Sequence, residues 1–142
     1  MKSQQASVHM KYSFNFSSRE IIVKKIIKAL KPKTNEFDSV VVSGYSMALV
    51  GSIVAHALKK NIVLVRKPSE LRISGYETEG IHNQRCIIID DLVCTGNTFR
   101  RVLDGLKKIN CTPVGFVVYN DSYTCTKFDE VPYWGNTKKY QE

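Results

Sequence analysis

Apolar residues along this chain are arranged in two alternating ways. Short runs rich in β-branched residues are apolar at nearly every position: Val40-Val41-Val42 at the end of residues 37–42, then residues 62–65, 86–89 and 114–119. Such runs predict strands buried on both faces, as in a parallel sheet. Between them apolar residues recur at three- and four-residue spacing, which predicts amphipathic helices. One set is Ile22, Val23, Ile26, Ile27 and Leu30, opened by the capping box Ser17-Ser18-Arg19-Glu20 and stopped before Pro32. A second is Met47, Val50, Ile53, Val54, Ala57 and Leu58, running to about Lys60 with Asn61 as terminator; a third is Phe99, Val102, Leu103, Leu106 and Ile109.

Strand, helix and strand of these lengths imply parallel crossover connections, so the predicted fold class is α/β, a mainly parallel sheet flanked by helices. Residues 66–84 have no sustained periodicity and carry Pro68, Gly75 and Gly80; they predict a long loop, a length typical of lids. Residues 110–113 predict a turn, and from Asn120 onward the pattern dissolves into short polar pieces holding Tyr123, Phe128, Tyr133 and Trp134. Residues 1–10 are polar and aperiodic and predict a frayed lead-in, which leaves 11–142 as one domain.

Composition narrows the picture. With 142 residues, 43% apolar and 24% charged, the chain has enough apolar material for one packed core. It has no apolar run of membrane-spanning length and no secretory-type leader, so the expected location is cytoplasmic, with no membrane partner. Cys86, Cys94, Cys111 and Cys125 show neither metal-ligand spacing nor a disulfide framework and are read as reduced thiols. The net charge of +8 suits either nucleic acid or an anionic small substrate. Much of it lies on Arg19, Lys24, Lys25, Lys28, Lys31 and Lys33, where a solvated helix face is the ordinary explanation, and no aromatic residues interleave to stack bases. His56 and His82 have no partners at ligand spacing and are read as structural.

The densest chemistry lies at residues 86–98, Cys-Ile-Ile-Ile-Asp-Asp-Leu-Val-Cys-Thr-Gly-Asn-Thr. Asp90 and Asp91 end a buried strand, where two neighbouring carboxylates would face water, a metal ion or ligand hydroxyls. Thr95, Gly96, Asn97 and Thr98 form a small polar turn before a helix, which places backbone N–H groups and the positive helix end where a phosphate can rest. An acid pair after a strand also suits a magnesium site of another doubly wound protein, or a solvated strand end. A second turn, Ser43-Gly44-Tyr45-Ser46, offers similar backbone donors at a helix start, and Arg66-Lys67 follows a strand end.

Residues 86–98 match every position of the 5-phosphoribosyl-1-pyrophosphate (PRPP) signature of the type I phosphoribosyltransferases, which this chain resembles from about Ser39 to Tyr119. The resemblance implies a Rossmann-like domain with a reduced hood, a lid at about 67–84 and a hood or tail at 121–142. It implies that Asp90 and Asp91 bind the ribose hydroxyls and a Mg2+ ion, and that Cys94, Thr95, Gly96, Asn97 and Thr98 bind the 5-phosphate. Ser43, Gly44, Tyr45, Ser46, Arg66 and Lys67 would bind pyrophosphate, and Tyr133 and Trp134 would grip a base.

The implied reaction moves the phosphoribosyl group of PRPP to a small nucleobase with release of pyrophosphate, and the implied assembly is a homodimer. Hypoxanthine-guanine members carry an aspartate where this chain has Cys94, which points away from them. Orotate members carry a lysine-bearing lid, whereas Lys67 stands only at the base of this one. Tyr76-Glu77-Thr78-Glu79-Gly80 is similar to the adenine members' lid, with Glu79 aligned to their catalytic glutamate. The alternative is a regulator of the same fold that senses PRPP or a nucleotide and touches nucleic acid.

Overall fold

A computed structural model of the chain describes residues 11–68, 75–90, 96–118 and 127–135. The predicted lead-in at residues 1–10 lies outside them. The chain opens on a short helix α1 (Lys11–Phe14) and a longer α2 (Phe16–Leu30), then passes through a 3-10 segment (Lys31–Glu36) into β1 (Ser39–Val42). There follow α3 (Tyr45–Leu58), β2 (Asn61–Val65), β3 (Thr78–Glu79), β4 (Arg85–Asp90), α4 (Asn97–Lys108), β5 (Thr112–Val118) and a hairpin of β6 (Lys127–Phe128) and β7 (Val131–Pro132).

The sheet order is β3-β2-β1-β4-β5. β2, β1, β4 and β5 are parallel, as predicted, whereas β3 runs antiparallel on the edge. β3 lies inside the stretch read as a loop; two residues are too few to show a period, yet Thr78 and Glu79 pair with Val65 and Leu64. Every residue of β1 is buried, as a central strand covered on both faces requires. α2 and α3 cover one face through Ile26, Leu30, Val50 and Val54; α4 covers the other through Phe99, Val102 and Leu106.

Several boundaries differ from the sequence reading for local reasons. α2 begins at Phe16 and is capped by Asn15, whose side chain accepts from the Ser18 N–H at 3.1 Å, so Ser17 falls inside the first turn and forms no capping box. Asn caps as well as Ser does, and it stands one turn ahead of the buried stripe. α3 ends on Lys59 in the left-handed region (φ 58°), and Asn61 already belongs to β2. Ile53 and Ala57 face outward, because α3 lies on β1 along Met47, Val50, Gly51 and Val54. Pro113 joins β5 on its second residue, where an edge strand needs no ladder N–H.

The amino edge of the sheet is clamped by Asp38 and Arg85. The Arg85 backbone N–H donates to Asp38 Oδ2 at 2.9 Å, and its guanidinium donates to both carboxylate oxygens at 2.9 and 3.1 Å. These hydrogen bonds hold the Asp38 carboxyl down at about 2. Cys86 and Cys111 are buried and in no disulfide; burial and the neighbouring Cys111 thiol push the Cys86 thiol up, which keeps it protonated. No helix among the described residues is long and apolar enough to cross a membrane.

Candidate active site

The carboxyl edge of the sheet is where the predicted chemistry gathers. β1 and β4 are neighbours, with Val40 opposite Ile87 and Val41 opposite Ile88. From β1 the chain runs through α3 to β2 on one side; from β4 it runs through α4 to β5 on the other. The direction of winding therefore reverses between these two strands, and the crevice beyond their carboxyl ends is the place where open α/β sheets take ligands. Asp90, the last residue of β4, stands there partly buried beside Val118. Asp91, Cys94 and Thr95, all predicted ligand residues, lie outside the described residues.

Two helices start from this crevice in the same manner. Gly44 precedes α3 with φ 83°, and Gly96 precedes α4 with φ 80°, conformations that glycine adopts without the strain a Cβ would bring. Neither helix start carries a side-chain cap, in contrast to α2 under Asn15. The first backbone N–H groups of a helix lack intrahelical acceptors, so both positive ends bear on one crevice. Asn97 and Thr98 open α4 and are exposed.

The turn after β1 is flanked by two cations. A Cβ on Gly44 would lie 3.3 Å from Lys67 Cε and 3.4 Å from Lys67 Nζ, so the ammonium is laid over this glycine. Arg101, on the second turn of α4, donates from Nη2 to Ser43 Oγ at 2.8 Å. Ser46 shares a 2.8 Å hydrogen bond with Ser13 of α1, which ties α1 to the start of α3, and Tyr45 is 71% exposed. On the other turn, Phe128 of the tail hairpin packs so closely on Gly96 that a Cβ there would meet its ring. Arg100 lies over the same ring and pairs with Asp129 at 3.6 Å.

Four predicted residues are placed elsewhere. Arg66 donates to Tyr76 O at 3.2 Å and to Glu79 Oε2 at 2.8 Å, which fastens the segment before β3 to the end of β2. Glu79 is thus the acid partner of Arg66 on the edge strand, three strand spacings or about 14 Å from β4, and it does not join Asp90. Trp134 is buried against Phe37, with ring centroids 6.2 Å apart, and its backbone N–H donates to Phe116 O at 2.8 Å. Its indole fills the core between Gly115 of β5 and Phe37, so it is not available to stack on a base. Tyr133 packs on Phe116 on the opposite face and donates to Val118 O at 3.2 Å. The described tail therefore covers the β5 edge rather than forming a hood; residues 119–126 and 136–142 lie outside the described set.

Arg101 is a residue at the crevice that sequence reasoning missed. Its signal was faint: an arginine in a pair, one helical turn before Gly105, on the side of α4 that turns toward the sheet.

Comparison with known proteins places the chain in a family. A sequence model of the phosphoribosyl transferase domain matches residues 20–139. The chain belongs to that family. It is 31% identical over 113 residues to an adenine phosphoribosyltransferase of Bifidobacterium longum, covering 68% of this chain and 58% of that protein. It is 28% identical over 115 residues to the transcriptional regulator GfcR of Methanocaldococcus jannaschii, covering 75% of this chain and 54% of that one. The chain thus spans little more than half the length of these relatives. Among solved structures, adenine phosphoribosyltransferase of Thermoanaerobacter pseudethanolicus superposes with a TM-score of 0.60 at 21% identity, over 75% of this chain and 70% of that one. Orotate phosphoribosyltransferase of Mycobacterium tuberculosis, in complex with inorganic phosphate, gives 0.63 at 16%, over 80% and 62%. These two share the fold of the phosphoribosyltransferase domain described here.

Proposed function

We propose that this phosphoribosyltransferase-family domain binds PRPP at the crevice between β1 and β4 and transfers its phosphoribosyl group to a purine-type base, releasing pyrophosphate. One observation supports this above the others. Two helices begin on positive-φ glycines without side-chain caps, after neighbouring strands at the point where the sheet reverses its winding, and Asp90 ends the second of those strands.

The two turns divide the substrate between them. The 5-phosphate rests on the amides at 96–98, whose helix dipole favours an anion. The pyrophosphate lies against the turn at 43–46, with Lys67 laid over Gly44. Asp90 accepts hydrogen bonds from the ribose hydroxyls, with Asp91 as the second acid. Asp90 and Asp91, as carboxylate oxygen donors, would hold Mg2+, which would supply charge neutralisation on the pyrophosphate. As the bond to pyrophosphate lengthens, negative charge grows on the leaving oxygen and positive charge on the ribose. Lys67 and the α3 amides stabilise the first and the Asp90 carboxylate the second. Arg66 supports this end indirectly, by holding the 76–79 segment in place.

The relative that is a transcriptional regulator supports a second reading, in which the same crevice binds PRPP or a nucleotide without turnover. Pyrophosphate release from PRPP and Mg2+, measured across a panel of adenine, guanine, hypoxanthine and orotate, decides between them. Turnover with adenine that falls at least a hundredfold in Asp90→Asn is the expected result. Magnesium-dependent PRPP binding with no turnover on any base would establish the regulator instead.

A further inference from the structure

Arg101 holds its cation at the crevice with no acid partner among the described residues. Its Nη2 donates to Ser43 Oγ at 2.8 Å, and its Nε is buried with no hydrogen-bond acceptor. Arg66, Arg85 and Arg100 are engaged by acids, Glu79, Asp38 and Asp129 respectively, and Arg19 donates to the Ser13 and Phe14 carbonyls on α1. A buried N–H left without an acceptor costs about as much as a lost hydrogen bond, and a guanidinium answered only by a neutral hydroxyl is electrically incomplete. The position matters as much as the deficit. Arg101 sits on the helix that follows the phosphate turn and touches the first residue of the other turn, so one side chain bridges both halves of the site.

We propose that Arg101 is a substrate-binding residue whose guanidinium takes an anionic oxygen on the pyrophosphate arm of the ligand. This rests on the PRPP reading above and adds a residue to it. A guanidinium presents its N–H groups as a planar fork suited to two phosphate oxygens at once, which Lys67, a point charge, does not. Ser43 holds the fork in place before the ligand arrives, so little side-chain freedom is lost on binding. With the anion bound, the crevice has a cation on each flank of the turn: Lys67 over Gly44 and Arg101 at Ser43. The 5-phosphate, seated on the amides at 96–98, needs neither.

Calorimetric titrations with PRPP, inorganic pyrophosphate and ribose 5-phosphate, each with Mg2+, test this on the wild-type chain and on Arg101→Gln, Arg101→Lys and Ser43→Ala. Arg101→Gln is expected to weaken PRPP and pyrophosphate by about tenfold or more, the scale of one charged hydrogen bond, and to leave ribose 5-phosphate within about twofold. Arg101→Lys should recover only part of the loss, and Ser43→Ala should lose less than Arg101→Gln. Equal weakening of all three ligands, or a Ser43→Ala loss as large as that of Arg101→Gln, would overturn the proposal, since Arg101 would then act only by holding the turn. Unchanged PRPP affinity in Arg101→Gln would overturn it as well. A wild-type chain that bound neither PRPP nor pyrophosphate would defeat the underlying PRPP reading instead. Melting temperatures of the variants show whether each is folded.

Discussion

Gly96 shows how a single position can be fixed from two directions. Its φ of 80° suits a residue without a Cβ, and the space a Cβ would occupy is already taken by the Phe128 ring. Gly96→Ala should therefore destabilise the domain by about 1–3 kcal/mol, through backbone strain and overpacking together, measured as a lowered urea midpoint. A midpoint equal to that of the wild type would mean that the tail does not pack on this turn. The positions of such residues were legible in the sequence, because Asp90, Gly96, Asn97 and Thr98 stand at a strand end and a helix start that the local pattern marks. Arg101, Glu79 and Trp134 were not. Their roles depend on which distant residue they meet, Ser43, Arg66 and Phe37 respectively, and spacing along one chain carries no record of that.

At the level of elements, the hydrophobic periods located four strands and three helices, because burial on one or two faces leaves its mark on every third, fourth or successive residue. What escaped were the short pieces. β3, β6 and β7 have two residues each and are held by their neighbours rather than by their own pattern. The strands of the central pair are fastened at their amino ends by Asp38 and Arg85, which predicts a pH dependence. The Asp38 carboxyl lies at about 2 in the folded chain against an ordinary 3.8. A depressed folded value means that the clamp contributes fully above about pH 4 and is lost as the pH falls through 4 toward 2. The pair is partly exposed, so solvent screening keeps its contribution small. Urea unfolding at pH 7 and pH 2.5 should therefore show a smaller acid loss in Asp38→Asn than in the wild type; identical losses would assign the acid sensitivity to other carboxylates.

Across the whole molecule, charge is distributed as unevenly as the chemistry. Residues 11–68 carry eleven Lys and Arg against three Asp and Glu, so the net charge of +8 belongs to the half of the chain that contains α2, α3 and the turn after β1. A positive field on that scale draws anionic ligands toward the crevice before any contact forms. The two edges of the sheet then do different work. The amino edge is closed by Asp38 and Arg85 and by the Asn83–Asn110 hydrogen bond of 2.7 Å, while the carboxyl edge keeps two helix starts without side-chain caps. Backbone amide spectra recorded while PRPP and Mg2+ are titrated in test this division most directly. The account predicts the largest shifts at Gly44, Gly96, Asn97 and Thr98, with Asp38, Asn61 and Arg85 unmoved. Shifts centred on the amino edge, or on the exposed lysines of α2 alone, would contradict it.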